Sequence, residues 1–207
     1  MEPLAPWRIW VQLAVVGMAL GLAVVRPFPI LRIVVCCMAS MIAYGIVQDQ
    51  FTVRICPEYF TVGHPPIAGL TDPTLLGITW GFLGAWWGGL CLGLALAITM
   101  HVGRSPPLTM GQLARPMALL FLAVASVAIL CGLGTNFNAG LLGVKLGEPW
   151  ASQIPPERHR AMLVVANAHF GAYGSAVVGA IVVCEWASRK RRWASACATD
   201  VNAQRRH

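Results

Sequence analysis

Charge is what this sequence has least of. Only 11% of its 207 residues are charged and only eight of them are acidic, whereas a soluble domain carries charge on about a quarter of its residues. With 57% hydrophobic residues and a mean hydropathy of +0.66, a soluble fold would have too little polar surface to cover its apolar side chains. The sequence also lacks the short motifs of common chemistries. It contains no G-x-x-x-x-G-K, no G-x-S-x-G and no H-E-x-x-H, which removes the standard phosphate-loop, serine-hydrolase and zinc-protease readings. There is no C-x-x-C among the seven cysteines either, so a membrane thiol oxidoreductase would lack the paired thiols its chemistry uses. Cys91, Cys131 and Cys184 lie within apolar runs, where buried, reduced cysteine is the expected state, and only Cys56 falls in a polar connection.

Long apolar runs are what the sequence does have. They predict an all-α, polytopic transmembrane helix bundle of about five spans, at residues 9–25, 30–48, 73–100, 116–133 and 160–187, within a single domain over 1–193 and ahead of a disordered tail over 194–207. The first run is at the short end for a span and is bounded by Arg8 and Arg26; if it lies on the membrane surface, the count is four. A signal peptide is its rival, but no A-x-A site follows. Thr71-Asp72-Pro73 opens the third run as a strong helix start, with Asp72 as cap and Pro73 at the first helical position. Pro116 opens the fourth. In residues 50–55, apolar Phe51, Val53 and Ile55 alternate with polar neighbours, which predicts a partly extended segment on the membrane surface.

The fifteen basic residues set an orientation. With the C-terminus in the cytoplasm, Arg26, Arg32, Arg104, Arg115, Arg189, Lys190, Arg191, Arg192, Arg205 and Arg206 are inside, and five are outside. The positive-inside rule therefore places the N-terminus outside. The net charge of +7 is explained by this signal and not by a nucleic-acid surface, so no nucleic-acid partner is expected.

Small residues recur at every fourth position of the third run: Gly77, Gly81, Ala85, Gly89 and Gly93. Gly171, Ser175 and Gly179 repeat the device in the fifth. Such faces let helices approach closely in lipid, so the two helices are expected to pack on each other, on a second copy of the chain, or on another membrane protein. Trp80, Trp86 and Trp87 are expected to face lipid or neighbouring helices.

The polar residues gather on the outer side. His169 lies inside the fifth run, where an ionisable group is costly and marks function by default. The 48–72 connection adds Asp49, Arg54, Glu58, Tyr59 and His64. Glu58, His64 and His169 are the candidate metal ligands, since carboxylate and imidazole from a loop and a helix can converge on one ion. Asp49, Arg54 and Tyr59 would support them. Arg54 and Glu58, four apart, could instead form a helical ion pair. No cofactor is implied by any motif.

The stretch from Gln48 to Pro66, with Tyr44-Gly45 ahead of it and the tryptophan-rich third run behind, resembles an uncharacterised family of bacterial multi-pass membrane proteins with no known activity. The likeness covers residues 30–100 and implies a bacterial inner membrane. Three function classes follow from the residues, in this order: an accessory or assembly-type membrane protein, which needs only packing faces and an exposed loop; a membrane enzyme with a metal or redox site on the extracytoplasmic face; and a small transporter or channel, against which the scarcity of polar groups in the third and fourth runs counts.

Overall fold

The protein is an all-α bundle in a computed structural model that describes residues 4–25, 28–103, 105–138 and 143–204. Among the described residues seven α-helices follow in order, α1 (Pro6–Val25), α2 (Pro29–Ile55), α3 (Glu58–Thr61), α4 (Pro73–His101), α5 (Met110–Asn138), α6 (Trp150–Gln153) and α7 (His159–Gln204), with one 3-10 turn at Pro156–Arg158. No strand occurs among the described residues. Five segments, Pro6–Ala23, Pro29–Ile55, Pro73–His101, Met110–Asn138 and Pro156–Ala196, are long and apolar enough to cross a membrane. Arg26 and Arg104, used above to orient the chain, lie outside the described residues, as do Arg205 and Arg206.

Local chemistry explains most helix ends. Asp72 caps α4, its Oδ1 accepting from the Leu75 N–H at 2.8 Å, with Pro73 in the first turn. Helix α5 starts at Met110, well before Pro116, which sits inside it. The reason is a reciprocal cap: Thr109 Oγ1 accepts from the Gln112 N–H at 3.3 Å, and Gln112 Oε1 accepts from the Thr109 N–H at 2.9 Å. Helix α2 runs to Ile55, which overturns the extended reading of residues 50–55. Asp49, Thr52 and Val53 are buried along one helical face while Phe51 and Ile55 are exposed, a spacing of three and four and not of two. At the other end of the chain, α7 continues as helix to Gln204, over most of the segment expected to be a disordered tail. Its length of about 69 Å, at 1.5 Å per residue, exceeds any bilayer core.

Packing sorts the bundle into two close pairs. Helix α2 lies along α4 and α5 along α7, while contact between the pairs is sparse. The glycines explain the closeness. A Cβ at Gly81 would stand 2.6 Å from Ile46 Cα, at Gly89 2.5 Å from Met38 Cα, and at Gly93 2.6 Å from Val34 Cα, all atoms of α2. Gly45 returns the contact, 2.6 Å from the Gly81 carbonyl oxygen. Gly77 faces Gln50 and the backbone of Asp49. On α7, Gly171 faces Cys131 and Gly179 faces Leu120, both on α5. Both small-residue faces are thus real close-contact faces, but α4 presents its face to α2, and α7 presents its face to α5. Ser175 only bonds back to the Gly171 and Ala172 carbonyls. Helix α1 lies on the outside, with Val16 alone buried among its described side chains, tied to α4 where Gln12 Oε1 accepts from Trp86 Nε1 at 2.6 Å.

The connections between α2 and α4 and between α5 and α7 meet at one end of the bundle, the α3 end. There Cys56, Leu146, Ile154, Met162 and Val165 form a small apolar core. The Leu4 N–H donates to the Pro66 carbonyl at 2.8 Å, which brings the described N-terminal residues to the same end.

Candidate functional site

Between the two helix pairs runs a furrow, and at its α3 end sits a buried carboxylate–imidazole contact. Asp49, about 9 Å from the end of α2, and His169, about 15 Å along α7, are 6% and 4% exposed. Their side chains meet at 3.0 Å, His169 Nε2 to Asp49 Oδ1. The other ring nitrogen, Nδ1, lies 2.9 Å from the Val165 carbonyl oxygen. A carbonyl only accepts, so Nδ1 carries a proton and donates it. One further proton must lie between Nε2 and Oδ1, because two bare acceptors at 3.0 Å would repel. Whichever atom holds that proton, the pair has no net charge, which is how a carboxylate and an imidazole can both be buried among apolar helices.

Aromatic rings roof this pair. Tyr59 stacks on His169 with centroids 4.5 Å apart and planes at 27°. His64 stands edge-on to Tyr59 at 4.8 Å and packs on Trp80 at 4.6 Å. His64 Nδ1 lies 2.8 Å from the Tyr59 carbonyl and therefore donates to it. Burial among these rings pushes the His64 imidazole below its ordinary value, favouring the neutral form. Trp80 Nε1 is buried and bonds nothing among the described residues.

Beneath the roof is a cavity of about 350 Å³. Its polar end is formed by Tyr44, Gln48, Asp49, His169 and Tyr173, and its long apolar wall by small residues, Gly84, Gly88 and Ala95 of α4 facing Ala172, Ala176 and Ala180 of α7. Tyr44 donates to Gln48 Oε1 at 2.5 Å and stacks on Phe121 of α5. Several wall residues, Trp87, Tyr173, Val177 and Ile181, are about half exposed or more, so the cavity opens sideways on the apolar flank of the bundle. Trp80 and Trp87 both line it.

The six candidate residues separate into two groups. Asp49, Tyr59, His64 and His169 come together. Arg54 and Glu58 do not join them, nor do they pair with each other. Arg54 donates to Gln50 Oε1 at 2.9 Å and to Thr74 Oγ1 at 2.9 Å, joining α2 to the start of α4. Glu58 forms an ion pair with Arg158 at 3.0 Å, and the guanidinium holds its carboxyl below the ordinary value. Glu58 also accepts from the Cys56 thiol at 3.2 Å, and burial pushes that thiol up to about 11. The proposed ligand set Glu58, His64 and His169 is therefore dispersed over three different partners. Among the described residues no three His, Cys, Asp or Glu side chains gather as a metal site.

Sequence reasoning passed over Tyr44, Gln48 and Tyr173. A signal for the first two was present: they are four apart in the second run, with Asp49 adjacent, so three polar groups share one end of an apolar helix. Comparison with known proteins finds no matching family, no matching curated protein and no matching solved structure, and the reading of this site rests on its own chemistry.

Proposed function

We propose that this is a non-catalytic, accessory-type protein of a bacterial inner membrane, N-terminus outside and C-terminus in the cytoplasm, which holds a lipid-soluble molecule with a neutral, oxygen-bearing head and an alkyl or isoprenoid tail. The observation that carries this reading is the buried, net-neutral Asp49–His169 pair at the closed end of a cavity that is open to the bilayer along its apolar side. A charged head would bring an unbalanced charge into that end at a cost of several kcal/mol or more. A neutral carbonyl or hydroxyl head finds the Gln48 amide and the Tyr173 hydroxyl there. The volume of about 350 Å³ suits a head and the first part of a tail, which continues along the facing glycines and alanines.

The probe is decylubiquinone, a neutral-headed quinone with a ten-carbon tail, added to the detergent-purified protein while tryptophan emission is followed. Trp80 and Trp87 line the cavity, so binding there quenches saturably. Gly84→Leu and Gly88→Leu fill the cavity, and neither collides with a backbone: the nearest atoms to a Cβ are Tyr173 Oη at 3.9 Å and Met41 Cε at 3.6 Å. Both should abolish the saturable quenching. Equal quenching by the filled variants, or equal competition by anionic dodecanoate, would sink the reading.

A further inference from the structure

At the end opposite α3 the same furrow opens into a second cleft, of about 780 Å³, between the last turns of α4 and the middle of α7. Ala95, Ala180 and Ile181 line both spaces, so the furrow is continuous from one to the other. The character of its wall changes along the way. At the far end stand Ser105, Ser188, Arg191 and Arg192, the two arginines closing the basic run Arg189-Lys190-Arg191-Arg192.

Arg191 is the unusual residue. It is 4% exposed and has no carboxylate within ion-pair distance among the described residues. Its guanidinium donates to the carbonyls of Thr99 and Val102, the latter at 3.0 Å, and to those of Ser105 and Pro106, the latter at 3.1 Å. These carbonyls end α4 and begin the following connection, and their dipoles solvate the cation. Dipoles do not cancel a unit charge. Among the described residues one carboxylate lines the same cleft, that of Glu185, and it is bound to Arg189 at 2.6 Å and lies 3.6 Å from Arg192. Two cations, Arg191 and Arg192, therefore share the cleft with one carboxylate that is already paired, and among the described residues the buried cation has no counter-ion.

We propose that this cleft binds an anionic phospholipid, with the headgroup phosphate against Arg192 and the cleft edge of Arg191, and an acyl chain lying along Ile98, Val102 and Ile181 toward Ala95. The anion supplies the missing counter-charge. The apolar residues of the same cleft commit the ligand to a lipid, because a free phosphate would leave them in contact with nothing. This site is separate from the Asp49–His169 end and does not depend on a ligand there.

The test uses the full chain in a zwitterionic detergent and measures 1:1 adducts and thermal stabilisation with short-chain phosphatidylglycerol, phosphatidylcholine and inorganic phosphate. Phosphatidylglycerol should bind saturably and raise Tm, and the other two should not. Arg192→Gln should weaken it about fivefold, the effect of one cation near a membrane surface. Ser188→Glu, which sets a carboxylate against the phosphate, should weaken it further and covers the case in which the first variant does not fold. Lys190→Gln is the control, since Lys190 lies over the Trp186 ring at 4.9 Å and outside the cleft, and it should bind as the parent does. Equal weakening by Lys190→Gln would mean diffuse attraction to a basic run and overturn the site. So would equal binding of phosphatidylcholine, or a rise in Tm with inorganic phosphate alone.

Discussion

Adding a single methyl group separates two classes of glycine on the same helix, and Gly89→Ala against Gly88→Ala is the sharpest comparison. At Gly89 the new Cβ would stand 2.5 Å from Met38 Cα and 2.8 Å from the Cys37 carbonyl oxygen, where relaxed carbon contacts need about 3.5–4.0 Å. Both obstacles are backbone atoms of α2, so no rotamer change relieves them. The helices must part locally by about 1 Å. A gap of that size forfeits up to about half of each contact worth about 0.1–0.2 kcal/mol, and over about twenty atom pairs the loss is about 1–2 kcal/mol. Measured overpacking costs of about 1–3 kcal/mol agree. At Gly88, one residue earlier, the nearest atom is Met41 Cε at 3.6 Å, the end of a flexible side chain, so alanine is accommodated and the change should be within about 0.5 kcal/mol of neutral. The assay is reversible unfolding in mixed detergent micelles, or Tm in one detergent, for parent and both variants. Equal stability of the two would mean that α2 and α4 do not touch at this register, and the account of the bundle as two close pairs would fall with it.

Two further predictions concern the polar end. Asp49→Asn should cost under about 1 kcal/mol, because the amide N–H can donate to a neutral His169 Nε2 and keep the pair uncharged, whereas Asp49→Leu leaves Nε2 unbonded and should cost about 1–3 kcal/mol; an asparagine as damaging as leucine would show that a charged pair is required. Glu58, whose carboxyl is held below its ordinary value of 4.5 by Arg158, should contribute stability fully above pH 4.5 and lose it as pH falls through its lowered folded value, so Glu58→Gln should reduce Tm slightly at pH 7, by less than the equivalent of about 1 kcal/mol, and the difference should shrink as the pH is lowered below 4.5; a difference that stays constant on acidification would mean the pair is not ionic.

Much of this architecture could be read from the chain because membrane helices declare themselves by length and hydropathy, and because Asp72-Pro73 is a local start signal whose bonds lie within one turn. Where local signals compete, the reading failed. Pro116 looks like a helix start, but the reciprocal Thr109–Gln112 cap sits upstream. Six residues of alternation from Gln50 to Ile55 are too few to separate a period of 2 from one of 3.6, and tertiary burial of Asp49 and Val53 decided for helix. The glycine faces were visible, yet their partners were not, since a flat face states how closely a neighbour can come and not which neighbour it is. The candidate site shows the same limit. His169 stood out by depth alone, but its partner lies 120 residues away, and Glu58 was drawn off by an Arg158 one hundred residues distant.

The furrow itself follows from how α4 distributes its small residues over two adjoining faces. Gly81, Gly89 and Gly93 meet the α2 backbone with no space left. Gly84 and Gly88 line the furrow with nothing closer to an added Cβ than 3.6 Å, and the furrow's α7 wall also carries alanines. Small residues facing small residues draw helices together only when the backbones can touch. Here α4 is already locked against α2 and α7 against α5, and the gap between the pairs remains open. In water such an apolar gap would collapse or stay dry at a cost, but in a bilayer hydrocarbon chains can fill it from the side without any loss of hydrophobic contact. An apolar wall then selects for a tail and for little else. Discrimination must come from the two ends, and these differ in the one property that matters most at low dielectric. The Asp49–His169 end is neutral and rejects charge, while the Arg191 end holds an unbalanced cation and calls for an anion, so the furrow can distinguish the two ends of an amphipathic molecule, or two different molecules, by charge alone.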